Sequence, residues 1–270
     1  NRFVVVTLDS DATSFSSILV AVSDDNDPNG VWRLLKINAV TSIGGKDHWA
    51  DYPGLAVDDK AIYITNNMFE LGGSNPFGGT RLWIVRKTEL YAGSPGVFTI
   101  HDPGTAVNIS TATLQPAHMF GNPPVGMGTF LTQTVYNQTG GSDFLSVIRI
   151  DNPLVTPLFT HQLIALGNIH DDTIIGDMPG APQKESTEKI DTNDDRLLNA
   201  VWRNNFLWVT SQIVPVTAPN LGEPTVRWYQ INTSSLANLT IQDQGNVGGE
   251  DVATKAFTFM PAICVDKNNN

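Results

Sequence analysis

Apolar and polar residues alternate along most of this chain in short runs separated by turn-forming residues. The clearest case is DYPGLAVDDKAIYITNN (Asp51 to Asn67), an apolar run, a polar turn at Asp58-Asp59 and a second apolar run. That pattern reads as a β-hairpin. A close echo, RLLNAVWRNNFLWVTSQ (Arg196 to Gln212), returns 145 residues later and aligns without gaps. Pro53 falls on Leu198, Asp58-Asp59 on Arg203-Asn204, and Ile62-Tyr63-Ile64-Thr65 on Leu207-Trp208-Val209-Thr210.

Partial copies extend the series. FMPAICVDKNNN (Phe259 to Asn270) matches the first half of the hairpin, and LQPAHMFGNPPVGMGTFLTQTVYN (Leu114 to Asn137) is a version with an expanded turn. NRFVVVTLDS, at the start, matches the second half. Further strands of one type are expected at Gly30 to Ala39, Thr80 to Leu90, Asp143 to Leu154 and Thr225 to Leu236, with Trp83 and Trp228 again 145 apart. Units of several strands and no helix, starting near residues 52, 114, 197 and 261, predict an all-β fold of the β-propeller class with about four to five blades. A β-sandwich is the alternative, although its strands recur without a shared motif. Residues 1–270 are expected to form one propeller domain, with residues 163–195 a long acidic insertion between blades. Strand edges left open at both ends favour aggregation, so the expectation is a piece of a larger propeller, truncated at both ends, rather than a ring closed by its own ends.

Composition narrows the picture. Charged residues are 16% of the chain, against roughly 25% in ordinary globular proteins, while 23 Gly, 16 Pro and 23 Asn supply turns. A net charge of −11 argues against phosphate-backbone binding and hence against nucleic-acid partners. No apolar run approaches the ~20 residues of a membrane-spanning helix, so no membrane insertion is expected. Cys264, the single cysteine, excludes an internal disulfide and is expected to be a small buried hydrophobe in PAICVD. Asn108, Asn137, Asn232 and Asn238 begin Asn-x-Ser/Thr sites, about as many as this composition gives by chance.

The segments WADYPGLAVDDKAIYITNNMF, RLWIVRKTELYAG, TLQPAH, DDRLLNAVWRNNFLWVTSQ, VRWYQINT and FMPAICVDKNNN, in this order, resemble a group of secreted, mostly bacterial, sialidase-like β-propeller proteins. The resemblance spans about Phe3 to Asn270 and implies a propeller fold, export, and strands preceding and following the present chain. It implies no particular activity. Sialidase chemistry would need three arginines around a substrate carboxylate and a tyrosine nucleophile with a carboxylate partner. Only eight Arg are present, none in an Arg-Ile-Pro motif, which counts against it.

Three stretches carry candidate chemistry. In VSDDNDPNGVW, Asp25, Asp27 and Asn29 alternate before Gly30 as at the start of a calcium loop. The twelfth position is Lys36 rather than Glu, which excludes an EF-hand and leaves a looser Ca2+ site. The competing reading is a structural Asp-box turn formed by Ser23, Asp25, Gly30 and Trp32. The polar stretch Asn168 to Asp195 holds six Asp and two Glu against two Lys; it reads as a solvated linker or a cation-facing loop, with His170, Asp171 and Asp172 a weak metal trio. In HWADYP, Trp49 offers a ring for stacking on a sugar and Asp51 an acceptor for its hydroxyls, or both simply pack and cap the blade. Asp195 and Arg196 hold the corresponding place in the later unit, with Arg203 in its turn.

The functional expectation is a non-catalytic extracellular or cell-surface module (scaffold, adhesion or glycan-contacting), with glycans or other extracellular proteins as partners and Ca2+ the sole cofactor considered. The alternative is a glycoside hydrolase or lyase of sialidase-like propeller fold, which needs two carboxylates facing across a pocket on the funnel face.

Overall fold

The computed structural model describes residues 2–73, 76–136, 141–174, 178–250 and 252–270. It is all-β, 49% strand and 4% helix, and its sheets are those of a four-bladed β-propeller. The first sheet contains Val4–Ser10, Ser16–Ser23 and Trp32–Asn38. The second orders Thr41–Ile43, Lys46–Val57, Ala61–Glu70, Phe77–Arg86 and Phe98–His101 as neighbours. The third runs Leu158–Gly167, Asp143–Asp151, Met127–Val135, Gln115–Pro116, and the fourth His118–Phe120, Asn199–Arg203, Phe206–Ile213, Thr225–Asn232, Thr240–Val247. Two short helices, Lys87–Ala92 and Pro103–Val107, lie in connections.

The chain forms two compact units. The first comprises Asn1–Pro116, Gly126–Thr129 and Ile150–Phe159. Its core is made where Val4, Val6 and Leu8 alternate inward from their strand and meet Ile18, Val20, Val22, Ile62, Ile64, Met68 and Trp83. Ala61–Glu70 is buried along its first eight residues, as a strand covered on both faces must be. The turn before it is held by one carboxylate. Asp58 Oδ1 accepts from the Lys60 and Ala61 N–H groups at 2.7 and 2.6 Å, and Oδ2 accepts from the Tyr63 hydroxyl at 2.6 Å. Burial and this carboxylate push the Tyr63 phenol far above its ordinary proton affinity.

The second unit comprises Ala117–Val125, Phe130–Arg149 and Thr160–Asn270. Its hairpin turns through Asn204 and Asn205, both at positive φ (50° and 66°), the geometry of a type I′ turn. Val57 pairs with Ile62 in the first unit and Trp202 with Leu207 in the second, so the innermost hairpins share one register at the 145-residue spacing. The next strand does not keep it. Thr65 pairs with Leu82 and Ile64 with Trp83, whereas Thr210 pairs with Trp228 and Val209 with Tyr229. This one-residue slip sends Trp228 to the face opposite that of a true Trp83 equivalent and buries Tyr229 in its place.

Three other expectations change. The expanded hairpin at Leu114 to Asn137 holds only in part: Gln115–Pro116 pairs beside Met127–Val135 in the third sheet, while His118–Phe120 leaves it to run parallel to Asn199–Arg203 in the fourth. The strand expected to continue to Leu90 gives way to the helix at Lys87. Phe259 to Asn270 forms no ladder strand; Val265 packs with Ile263 on Val201 and Trp208, and the two-residue alternation leaves Cys264 between them exposed.

Replacing Asp58 with Ala strands the Tyr63 hydroxyl and two N–H groups, so urea unfolding should show a loss of about 2–4 kcal/mol. Asp59→Ala, one residue away on the exposed side of the turn, should stay within about 0.5 kcal/mol.

Candidate functional site

Two loci, one in each unit, hold Trp49 with Asp51 and Asp195 with Arg196; Arg203 and the Asp25 loop lie outside them. In the first unit, Trp49 and Asp51 lie on the same face of Lys46–Val57, just before a bulge at which Tyr52 takes φ 50°. Asp51 accepts from the Tyr52 N–H at 2.8 Å, and its carbonyl accepts from Asn66 Nδ2. Trp49 pairs across the ladder with Phe69, and Phe69 with Phe77. The rings follow one another at centroid distances of 5.8 and 5.5 Å, ending on Phe77, which is 46% exposed.

Beyond Phe77 the same sheet borders a recess of about 300 Å3. Gly78 and Gly79 present bare backbone there; a Cβ on Gly78 would meet the His48 ring at 2.6 Å, so the strand admits no side chain at that point. Arg81 Nη1 forms an ion pair with Asp102 Oδ2 at 2.9 Å and donates to the Thr80 carbonyl at 3.0 Å. Asp102 Oδ1 caps the short helix by accepting from the Thr105 N–H. Neither Phe77, Arg81 nor Asp102 stood out in the sequence, because they come from separate elements and form no motif.

In the second unit, Asp195 and Arg196 meet around Asp194. Arg196 donates from Nε to Asp194 Oδ1 at 2.5 Å and from Nη2 to Oδ2, a bidentate fork. The Asp195 carboxyl instead faces the buried His170, whose Nε2 lies 3.7 Å from Oδ2. His170 Nδ1 accepts from the Val214 N–H, which fixes the proton on Nε2. Burial lowers the imidazole's proton affinity despite the nearby Asp143 and Asp171 carboxylates, so the ring is neutral. It stacks on Tyr136 with centroids 4.6 Å apart. Burial, then the neighbouring Asp194 charge, raises the Asp195 carboxyl to about 6, against the pull of Arg196.

Around this carboxyl lie groups the sequence reading missed. Burial raises the Tyr136 phenol well above its ordinary range, with Tyr229 and Asp195 adding to it, and raises Tyr229 to about 12. The hydroxyls of Tyr136, Ser211 and Tyr229 and the Nε2 of His170 are all buried, and none closes a well-formed hydrogen bond with the described residues. Asp143, a second buried carboxylate of this unit, accepts from the N–H groups of Ile169 and His170. Arg203, in the hairpin turn, lies 5.0 Å over the Phe120 ring; the Asp266 carboxyl is drawn down by the N–H groups of Asn270 and Asn268, with Arg203 adding the smallest pull.

The Asp25 loop is built from its own side chains. Asp25 Oδ1 accepts from the Asp27 N–H at 2.7 Å, and Asp27 Oδ1 from both the N–H and the Nδ2 of Asn29. Ser23 Oγ donates to the Asp25 carbonyl and Trp32 Nε1 to that of Pro28. Among the described residues no group of three His, Cys, Asp or Glu is placed to hold a metal ion, and no helix is long and apolar enough to cross a membrane. Asn108 and Asn238 are exposed and Asn232 half-buried, while Asn137 lies outside the described residues. No family model, no curated protein and no solved structure matches the chain.

A carboxyl that keeps its proton to about pH 6 in the fold, but only to the ordinary 3.8 in the unfolded chain, favours the native state most below pH 4. That contribution is lost as pH rises through 6, in all about 3 kcal/mol. Asp195→Asn should flatten this part of the pH–stability profile measured by urea titration; an unchanged slope would remove Asp195 as its source. For the loop, Asp25→Ala with Asp27→Ala should lower the melting temperature equally in calcium and in chelator, since the lost contacts are to backbone. A calcium-dependent melt of the unaltered chain would assign the loop to the ion instead.

Proposed function

We propose that this chain is a non-catalytic extracellular or cell-surface propeller module that contacts glycans. The observation carrying this reading is the ring series Trp49–Phe69–Phe77, which ends on an exposed face beside a polar recess. Sugar rings present apolar C–H faces and dense hydroxyls, so aromatic faces next to fixed donors and acceptors suit them. The secreted setting is supported by the acidic net charge and the resemblance to exported sialidase-like propellers. The charged groups first singled out support a module over an enzyme: Asp25, Asp27 and Asp51 hold backbone, Arg196 is forked to Asp194, and Arg203 lies over Phe120.

A glycoside hydrolase or lyase is the second reading, favoured by the near-neutral carboxyl of Asp195 beside Tyr136 and His170. A group titrating near 6 suits general acid–base work. The common glycosidase scheme, however, uses a second carboxyl facing the first across the sugar, and Asp143 is engaged by two N–H groups. The sialidase scheme would need three arginines around a substrate carboxylate, and Arg196 is forked to Asp194 while Arg203 lies over Phe120.

A glycan array run together with a panel of chromogenic glycosides separates the two. Binding without turnover, weakened about tenfold or more by Phe77→Ala and untouched by Asp195→Asn, is the expected result. Turnover abolished by Asp195→Asn would establish the enzyme.

A further inference from the structure

The recess beside Phe77 is lined by ten residues, and Arg81 and Asp102 are the two among them that carry charge. Their side chains are joined at 2.9 Å, with Arg81 11% exposed and Asp102 33%. Arg81 is further held by the Thr80 carbonyl and Asp102 by the Thr105 N–H. Neither group can swing out alone to meet a ligand charge without breaking two bonds. The recess is therefore electrically neutral and rigid, inside a chain whose net charge of −11 repels anions at long range.

From this we infer that the recess binds an uncharged, hydroxyl-rich sugar ring and discriminates against sugar acids, an inference that rests on the glycan-contacting reading above. A carboxylate offers about four acceptor positions and a guanidinium five donors. The bonds above occupy one position on each Asp102 oxygen, so both oxygens keep capacity for a hydroxyl donor. One hydroxyl of a vicinal pair accepts from the guanidinium while the other donates to the carboxylate. A sugar carboxylate can satisfy only the first partner and is repelled by the second. Phe77 supplies the apolar wall for the ring's C–H face, and Gly79, where a Cβ would stand 3.8 Å from Arg81 Nη1, leaves the ring room to approach. A volume of about 300 Å3 stands at the small end of the ~300–1,000 Å3 range of ligand pockets, the scale of one or two rings.

The test uses the whole chain on an array of neutral hexose and hexosamine glycans beside uronate- and sialate-terminated ones, at low and high salt. Neutral glycans should bind, with affinity nearly independent of salt and reduced about tenfold or more by Phe77→Ala. Asp102→Asn leaves the guanidinium uncompensated and should weaken neutral binding while raising retention of carboxylated glycans. Circular dichroism and the melting temperature check each variant's fold; Phe77, being exposed, keeps the test decisive should Asp102→Asn unfold. Binding confined to carboxylated glycans, or neutral binding untouched by Phe77→Ala, overturns the inference while leaving the glycan reading in place. Silence across the whole array removes both.

Discussion

Much of the structure depends on one constraint: polar side chains buried in the innermost strands must find partners. Ala61–Glu70 carries Thr65, Asn66 and Asn67 where burial is nearly complete. Leaving such groups unpaired would cost about 1–3 kcal/mol each. For Thr65 and Asn67 the chain meets the demand by passing another segment beside them, while Asn66 Nδ2 donates to the Asp51 carbonyl. Thr65 Oγ1 donates to the Leu114 carbonyl at 2.6 Å; Asn67 accepts from the Thr113 N–H and donates to its hydroxyl. Gly54 lets this crossing come close, since a Cβ there would meet Thr65 Oγ1 at 2.4 Å and Pro116 Cδ at 2.8 Å.

The second unit solves the same problem at Thr210, whose Oγ1 donates to the Arg227 carbonyl, and at Gln212. Gln212 Nε2 donates to the Asp194 and Thr192 carbonyls and its Oε1 accepts from the Met260 N–H at 2.7 Å. The end of the acidic connection and the C-terminal segment are thereby tied to one strand. Its beginning is fixed nearby, through His170 Nδ1 and the Val214 N–H. Asp195 therefore owes its burial to how the connection is anchored. Its raised proton affinity is a local result of that anchoring.

How far the sequence disclosed this follows from what kind of signal each feature leaves. The hairpin at Asp51 to Asn67 was legible because alternation and a polar turn are local properties, and the all-β class followed from the same signals repeated. Pairing of the outer strands was not, because register depends on a bulge or loop elsewhere and spacing alone does not record it. Cys264 sat in an apolar run, yet an isolated extended segment buries only alternate residues, here Val265 and to a lesser extent Ile263. Trp49 was legible as a strand residue, and its ring lies against Phe69. Phe77, Arg81 and Asp102 were hidden because a recess assembled from a strand and a helix cap has no motif. The acidic side chains are too abundant for spacing alone to sort them: Asp11, Asp25, Asp27 and Asp58 all accept from backbone N–H groups in turns.

The displaced partner of Trp83 carries a consequence for anyone seeking relatives of this chain. A profile drawn from the 145-residue echo would stack Trp83 on Trp228, two conspicuous and rarely substituted letters. It would thereby superpose a core position of one sheet on the opposite face of another. Every outer-strand column built on that match would mix interior with exterior preferences and blur both. Treating Tyr229 as the counterpart of Trp83, with a single gap before the outer strand, brings the two fully buried aromatic rings into one column.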